Sequence, residues 1–315
     1  MTAPRFLMCP PRHFAVSYAI NPWMQPDDWS RAAGTLAAAA RRQWQSLHDT
    51  LAGLGAAIEL VPPAPGVPDL VFTANAAVVL DRVALLARFR HGERRVEEPH
   101  FVAAFAALEQ RGVIDDVRSL PPGLVLEGAG DCVYDATRDL FWMGFGPRSD
   151  AAARAAVADT FGREIVALEL ADARFYHMDT ALCPLPGGEI LFVPQAFTAA
   201  GRDAIAARAG PQSLIAIDDG DAQALAANAV AVGRHLVLST CSAALRERLH
   251  ERGHVVITTP LSAFLRSGGA AFCLTLRLDR ARAHSAKVDT GFASECALNL
   301  RTGPPSGRPT RIHSA

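Results

Sequence analysis

The 315-residue chain lacks the marks of several large protein classes. No apolar run approaches the roughly eighteen residues that a membrane span requires, so no membrane partner is expected. A formal net charge of −1 offers no basic surface for nucleic acid or an anionic bilayer. The opening MTAPRFLMCPP has no basic stretch followed by a long apolar one; the expectation is a cytoplasmic protein without a signal peptide. Six cysteines, at 9, 132, 183, 241, 273 and 296, form no CxxC pair and no Cys/His cluster with zinc-like spacing. Neither a metal nor a cofactor is implied, and in a reducing compartment most of these thiols read as small buried hydrophobes.

What the chain does have is a period. Five times a glycine closes an Ala-rich helical stretch and an apolar strand-like run follows: 28–54 before GAAIELVPP, 101–111 before GVIDDVRSLPP, 149–161 before GREIVALEL, 198–209 before GPQSLIAID and 242–252 before GHVVITTP. Glycine just past a helix takes the left-handed conformation at little cost. These glycines, at 55, 112, 162, 210 and 253, are 57, 50, 48 and 43 residues apart. A second series keeps step: strand-like runs entered by Asn75, Asp131, Asp179, Asn228 and, most divergently, Cys273, at intervals of 56, 48, 49 and 45. A period near fifty signals a closed or stacked repeat architecture. Each unit mixes one helix with about three short strands, so the expected fold is α/β, five units around a central axis. The alternative is an ordinary α/β sandwich with a coincidental period. Closure would come from residues 5–9 pairing with a last strand at 272–278. Residues 1–280 form one domain in this reading, and 281–315, rich in Gly, Pro, Ser and Arg, a poorly ordered tail in which Cys296 and His313 are inert.

Five units in a ring would bring the five polar openings together. Cys273 follows GGAAF, whose glycines allow close backbone approach and whose small residues leave room for a ligand. A cysteine attacks at neutral pH only with its thiolate stabilised or a base nearby, and a buried structural thiol is the plainer reading of this position alone. His177 and Asp179 lie two apart in FYHMDTAL, so in an extended segment both side chains point the same way. Histidine beside a carboxylate suits proton transfer. LEGAGDC sets Glu127 and Asp131 around a flexible Gly-Ala-Gly. Three carboxylates and a thiol on one axis suit a planar cation with an electrophilic carbon, and a guanidinium fits. Arg88, Arg90, Arg94, Arg95 and Arg148 stand near the same openings, where one or two could hold the carboxylate of an amino acid.

Taken together, MCPPRHFAVSYAINPWM, FTANAAVVL, LEGAGD, FYHMDTAL and GGAAFCLT resemble the guanidine-modifying, or pentein, superfamily, across residues 5 to about 279. The resemblance implies a five-bladed α/β propeller with the site on its axis. It also implies Cys273 as nucleophile, His177 as general acid/base and Glu127 as the carboxylate bonded to the histidine or the substrate. Asp179 would bind guanidinium nitrogens, and Arg148 and Arg94 the substrate carboxylate; Asp131 belongs to the same acidic pocket. Asn75, where deiminases and dimethylarginine hydrolases commonly have a carboxylate, and Asn21 in INPWM are similar to the arginine dihydrolases. These take arginine to ornithine, ammonia and carbon dioxide through a covalent thiouronium. Dimethylarginine hydrolase, arginine deiminase and amidinotransferase are the alternatives within the enzyme class, and a non-catalytic binding propeller of the same superfamily is the alternative from a different class. The expected partner is a small guanidino compound, with self-association left open.

Overall fold

The structure, a computed structural model, describes residues 3–281. The proposed tail, apart from its first residue, and with it Cys296 and His313, lies outside the described residues.

Among the described residues, fifteen short strands form five three-stranded sheets of one pattern. β1 (Arg5–Met8) and β2 (Ala57–Leu60) belong to the sheet that both ends of the described chain build. Next come β3 (Ala77–Leu80), β4 (Val83–Leu86) and β5 (Asp116–Ser119), then β6 (Cys132–Asp135), β7 (Leu140–Phe145) and β8 (Glu164–Glu169). β9 (Leu182–Pro184), β10 (Ile190–Phe192) and β11 (Leu214–Ala216) precede β12 (Val230–Val232), β13 (His235–Leu238) and β14 (Val255–Thr258). β15 (Leu276–Arg277) returns to the first sheet. In every sheet the inner strand pairs antiparallel with the middle one, and the middle one pairs parallel with the outer, which arrives after a helix. A parallel pair needs such a crossover, while an antiparallel pair needs only a tight turn. The five-unit reading therefore holds, and so does the closure: Phe6 faces Arg277 and Leu7 faces Leu276.

All five helix-closing glycines have positive φ, from 62° at Gly162 to 86° at Gly55. Leading into the outer strands are helices Ala33–Gly53, Glu98–Gln110, Ala153–Phe161, Ala199–Ala209 and Ala243–Glu251. The first predicted helix differs, because it breaks at Ala32 (φ −132°) into Pro26–Arg31 and Ala33–Gly53. Apolar faces of these helices pack on their own sheets. Phe101, Phe105 and Leu108 join Val79, Ala84 and Leu86, while Val157 and Phe161 join Phe141 and Ile165.

The polar openings depart from the reading in one respect. They are not the first residues of strands. Asn75 lies in a 3-10 turn (Thr73–Ala76), Asp131 ends a single helical turn (Gly128–Asp131), and Asp179 lies in another (Met178–Ala181). β3, β6 and β9 start only after these turns, and β15 starts three residues after Cys273. Alternating or continuous apolar runs look alike for a strand and for a buried turn feeding it, so periodicity alone could not separate them.

Leu7 marks how closure is held. Its side chain is buried among Leu276, Val61 and Leu70, and its carbonyl accepts a bond from Thr73 Oγ1 at 2.8 Å. Truncating it leaves a cavity where the two ends of the described chain meet. The Leu7→Ala protein should lose about 2–5 kcal/mol, read as a lower urea midpoint with unchanged slope. A shift equivalent to less than about 0.5 kcal/mol would mean that this contact does not hold the closing sheet.

Candidate active site

The five turns meet at the axis and bind one another in a closed circuit. Asn75 Nδ2 donates to the carbonyl of Glu127 at 3.0 Å, and Asp131 Oδ1 accepts from the backbone N–H of Met178 at 3.1 Å. Asn228 Nδ2 donates to the carbonyl of Asp179 at 3.1 Å, and Asn228 Oδ1 accepts from the N–H of Cys273 at 3.1 Å. The carbonyl of Cys273 accepts from the N–H of Ala74 at 3.2 Å, which returns the circuit to its start. Each opening residue is buried, as a polar group can be when its bonds are made.

Inside the circuit, Cys273 Sγ lies 3.1 Å from Asp179 Oδ2 and 3.1 Å from Asn228 Nδ2. Burial first, and the Asp179 charge second, push the Cys273 thiol well above its ordinary range. It rests protonated, its S–H directed to Asp179. Burial also raises the Asp179 carboxyl, to about 7, against the bonds from Cys273 and Asn228. Asp179 Oδ1 is buried with no partner. The second acceptor of a buried carboxylate is left open beside the sulfur.

His177 Nε2 meets Glu127 Oε2 at 2.7 Å, and the same oxygen accepts from Arg148 Nη1 at 3.0 Å. Glu127 Oε1 accepts from the N–H of Arg90, and Arg94 lies 3.9 Å from Oε2. Burial works to raise the Glu127 carboxyl, but Arg148, His177 and Arg94 together hold it well below the carboxylate range. With Glu127 already matched by arginine, His177 has no need of charge: burial holds its pKa down to about 4 despite the Glu127 bond. The imidazole is neutral, and since Nε2 is engaged, Nδ1 is the nitrogen free to exchange a proton.

Arg94 makes a two-pronged pair with Glu97, at 2.7 and 2.8 Å, and donates from Nη1 to Asn75 Oδ1 at 3.0 Å. Arg148 donates from Nη2 to the carbonyl of Ile20 and lies over Tyr176, 4.6 Å from the ring centre. With Asn21, Asp69, Asn75 and Cys273 these two arginines line a small cavity. Of the predicted residues, Asn21, Asn75, Arg94, Arg148 and Cys273 thus face one cavity. Glu127 and Asp179 stand one hydrogen bond from them, and His177 a second bond away, through Glu127. Asp131 is placed otherwise: its Oδ2 accepts from Ser149 and its Oδ1 from Met178, so the carboxylate is consumed within the circuit, 4.0 Å from His177. Arg88 and Arg95 bond backbone carbonyls, and the Arg90 side chain pairs with Asp150 at 2.6 Å.

Three local expectations are corrected. His177 and Asp179 do not share an extended segment: His177 is extended (φ −125°, ψ 153°) and Asp179 lies in the helical turn that follows. Gly-Ala-Gly is a buried turn rather than a flexible loop. The room beside Gly268 and Gly269 is taken by Tyr176, Trp23 and Phe72, whose atoms would lie 2.8, 3.0 and 2.4 Å from an added Cβ. Sequence reasoning passed over Asp69, which lines the cavity and accepts from Tyr18 at 2.7 Å. An acid inside the apolar run VPDLVF was the available signal. Glu97, three residues after Arg94, was the other.

A five-sheet α/β propeller with a thiol, a histidine–glutamate pair and two buried arginines on its axis defines a guanidine-modifying enzyme fold. Residues 10–280 match the family model described as N,N dimethylarginine dimethylhydrolase, eukaryotic. N(G),N(G)-dimethylarginine dimethylaminohydrolase of Mycobacterium tuberculosis is 35% identical over 274 residues, 87% of this chain and 85% of that protein. The bifunctional arginine dihydrolase/ornithine cyclodeaminase ArgZ of Synechocystis is 43% identical over the same length, 87% of this chain but only 37% of ArgZ. This chain therefore spans a little over a third of that relative. The solved N-terminal domain of ArgZ, a cysteine-to-serine variant bound to substrate, is similar with a TM-score of 0.81 at 41% identity, covering 89% of this chain and 100% of that one. The chain belongs to the dimethylarginine dimethylaminohydrolase family of hydrolases acting on guanidino C–N bonds.

Two outcomes follow from the geometry. A methyl group at Gly130 would lie 2.1 Å from Asn75 Nδ2 and 3.5 Å from His177 Nδ1. Gly130→Ala must therefore displace Asn75, and a shift near one ångström at a reacting centre costs on the order of a hundredfold in rate. Steady-state kinetics beside a wild-type-like circular dichroism spectrum checks this; unchanged turnover would show that Asn75 is free to move. Separately, the His177 ring should remain neutral from about pH 8 down to about pH 5, because burial disfavours its cation. Imidazole nitrogen shifts in the free protein report it, and a midpoint near the ordinary value of about 6.5 would contradict it.

Proposed function

We propose that this chain is an arginine dihydrolase, converting arginine and two waters to ornithine, two ammonia and carbon dioxide. The observation that carries the reading is the unpartnered, buried Asp179 Oδ1 beside the Cys273 sulfur. A carboxylate there needs N–H donors, and a guanidinium bonded to it sets its central carbon against the thiol. Arg94 and Arg148 on the cavity wall suit the substrate's α-carboxylate, and Asp69 suits its ammonium.

The arriving cation offsets the Asp179 charge that keeps Cys273 protonated, so attack becomes favourable once substrate is bound. The S–C bond forms, and the thiol proton passes by way of His177 to the departing nitrogen, which leaves as ammonia with the electrons of the C–N bond. A thiouronium remains. Water then attacks, His177 Nδ1 takes its proton, and the C–S bond breaks to give citrulline and the thiol. In a second round the thiol displaces ammonia from the urea. Hydrolysis of the resulting thiocarbamate gives a carbamate that falls to carbon dioxide and ornithine. The urea oxygen needs a donor where the guanidinium had N–H groups; Asn75 keeps one amide hydrogen beyond its bond to Glu127, and a carboxylate there would only accept. That difference favours two rounds over one.

The family match over residues 10–280 favours a second reading, in which dimethylarginine loses dimethylamine and only one round occurs. The five described cysteines are all free thiols, in keeping with a cytoplasmic enzyme. Incubation with arginine and, separately, with dimethylarginine separates the readings by product mass. Ornithine with carbon dioxide supports the dihydrolase, accumulating citrulline makes it a deiminase, and dimethylamine selects the second reading. Cys273→Ser should leave less than a few per cent of turnover on the chosen substrate, since a hydroxyl is far harder to ionise than a thiol. Greater residual activity removes Cys273 from the nucleophile role.

A further inference from the structure

Of the five polar openings, the proposed chemistry leaves Asp131 and Asn228 unused, and Asn228 is the one that bonds the sulfur. It is fully buried, and all its side-chain contacts go to the nucleophile's surroundings. Its Oδ1 accepts from the N–H of Cys273, and its Nδ2 donates both to the carbonyl of Asp179 and to Cys273 Sγ, each at 3.1 Å. The orientation of the amide is forced. Turned over, it would set an oxygen against the Asp179 carbonyl and an NH₂ against the Cys273 N–H, two like pairs in place of two bonds. One hydrogen of Nδ2 therefore has to lie toward the sulfur.

We propose that Asn228 is a positioning residue for Cys273 that also stabilises its thiolate, by directing an amide N–H at the sulfur from the side opposed to the Asp179 carboxylate in charge. The inference rests on the assignment of Cys273 as nucleophile. A neutral thiol is a weak acceptor and gains little from such a donor; a thiolate gains a charge-assisted bond. The contact therefore acts at the two moments when the sulfur is anionic, as it attacks and as it is expelled from the hydrolytic adduct. The bond to the Cys273 N–H fixes the turn, so the sulfur stays within reach of Asp179 as its charge changes. The other charged or titratable groups facing the thiol are Asp179 at 3.1 Å, the Tyr176 phenol, and Arg94, Arg148 and Asp69 on the cavity wall. Two anions and the phenol disfavour the thiolate, and two arginines already committed to carboxylates compensate in part. Asn228 is the neutral donor placed directly on the sulfur.

Two variants separate this role from a purely architectural one. Asn228→Asp preserves shape and the acceptor for the Cys273 N–H but replaces the donor facing the sulfur and the Asp179 carbonyl with an oxygen. Asn228→Ala removes both contacts. The measurement is the second-order rate of Cys273 alkylation by iodoacetamide between about pH 7 and about pH 9, with the labelled residue identified by peptide mass, alongside kcat and KM for arginine and a urea midpoint for each protein. If Asn228 stabilises the thiolate, alkylation by the Ala variant falls about tenfold at every pH in that range, a midpoint raised by about one unit, and by the Asp variant more still. The loss appears in kcat rather than KM. If Asn228 only braces the turn, both variants lower the urea midpoint while the alkylation rate of the folded protein stays at the parent's value, which overturns the proposal. An unchanged alkylation rate in the Ala variant overturns it too, and if the Asp variant does not fold, the Ala variant decides alone. Because alkylation uses no substrate, this arm reads Asn228 even where arginine is not turned over; such a failure would count against the arginine reading only.

Discussion

Everything at the axis depends on each turn being fastened to the next by a hydrogen bond that no single repeat can make for itself. Asn75 reaches the turn holding Glu127, Asp131 the turn holding Asp179, Asn228 the turns on both its sides, and the Cys273 carbonyl the turn of Asn75. A buried backbone N–H or carbonyl without a partner costs about 1–3 kcal/mol. The circuit removes that cost at the place where five chain segments leave their sheets and cannot yet pair as strands. It also fixes the side chains beside those atoms. The sulfur, the carboxylates and the imidazole are held by the same bonds that close the structure.

A second constraint is charge. Asp69, Glu97, Glu127, Asp131 and Asp179 are all buried near the axis, against the two guanidiniums of Arg94 and Arg148. Charge matching is uneven by design of the packing: Glu97 takes both prongs of Arg94, and Glu127 takes Arg148 and the edge of Arg94. Asp131 has only neutral donors, and its carboxyl is pushed well up by burial. Asp179 is left with a thiol and an amide. Asp69, with the hydroxyls of Tyr18 and Ser267, and Asp179 are thus the buried acids facing the cavity and its sulfur without an arginine of their own, a setting that favours a cation.

Much of this was legible in the sequence because it repeats. Gly55, Gly112, Gly162, Gly210 and Gly253 carry a backbone requirement that few other residues meet, so the units can be counted from them. The polar openings were legible for a related reason: an amide or acid before an apolar run is conspicuous. What could not be read was which atoms each would meet, because every partner lies in a neighbouring repeat some fifty residues away. Hence Asp131 was grouped with the ligand-facing acids although Ser149 and Met178 occupy it. Hence also Asp69 went unread until Tyr18 and the cavity wall stood beside it. The helical turns before the strands were invisible because AVVL and its counterparts satisfy either conformation locally.

The sheet built from both ends of the described chain bears on how the protein comes into being. β1 is the first of the described strands, yet its antiparallel neighbour β15 comes after the other fourteen, and Cys273 precedes β15 by three residues. A growing chain holds its histidine, its glutamate and both arginines before it has the sulfur, and the circuit stays open until that last turn arrives. Within the described chain, the sulfur and the closing strand are thus made together, after all the other strands. A chain that stops short of Cys273 has the carboxylates and the imidazole but not the sulfur they surround.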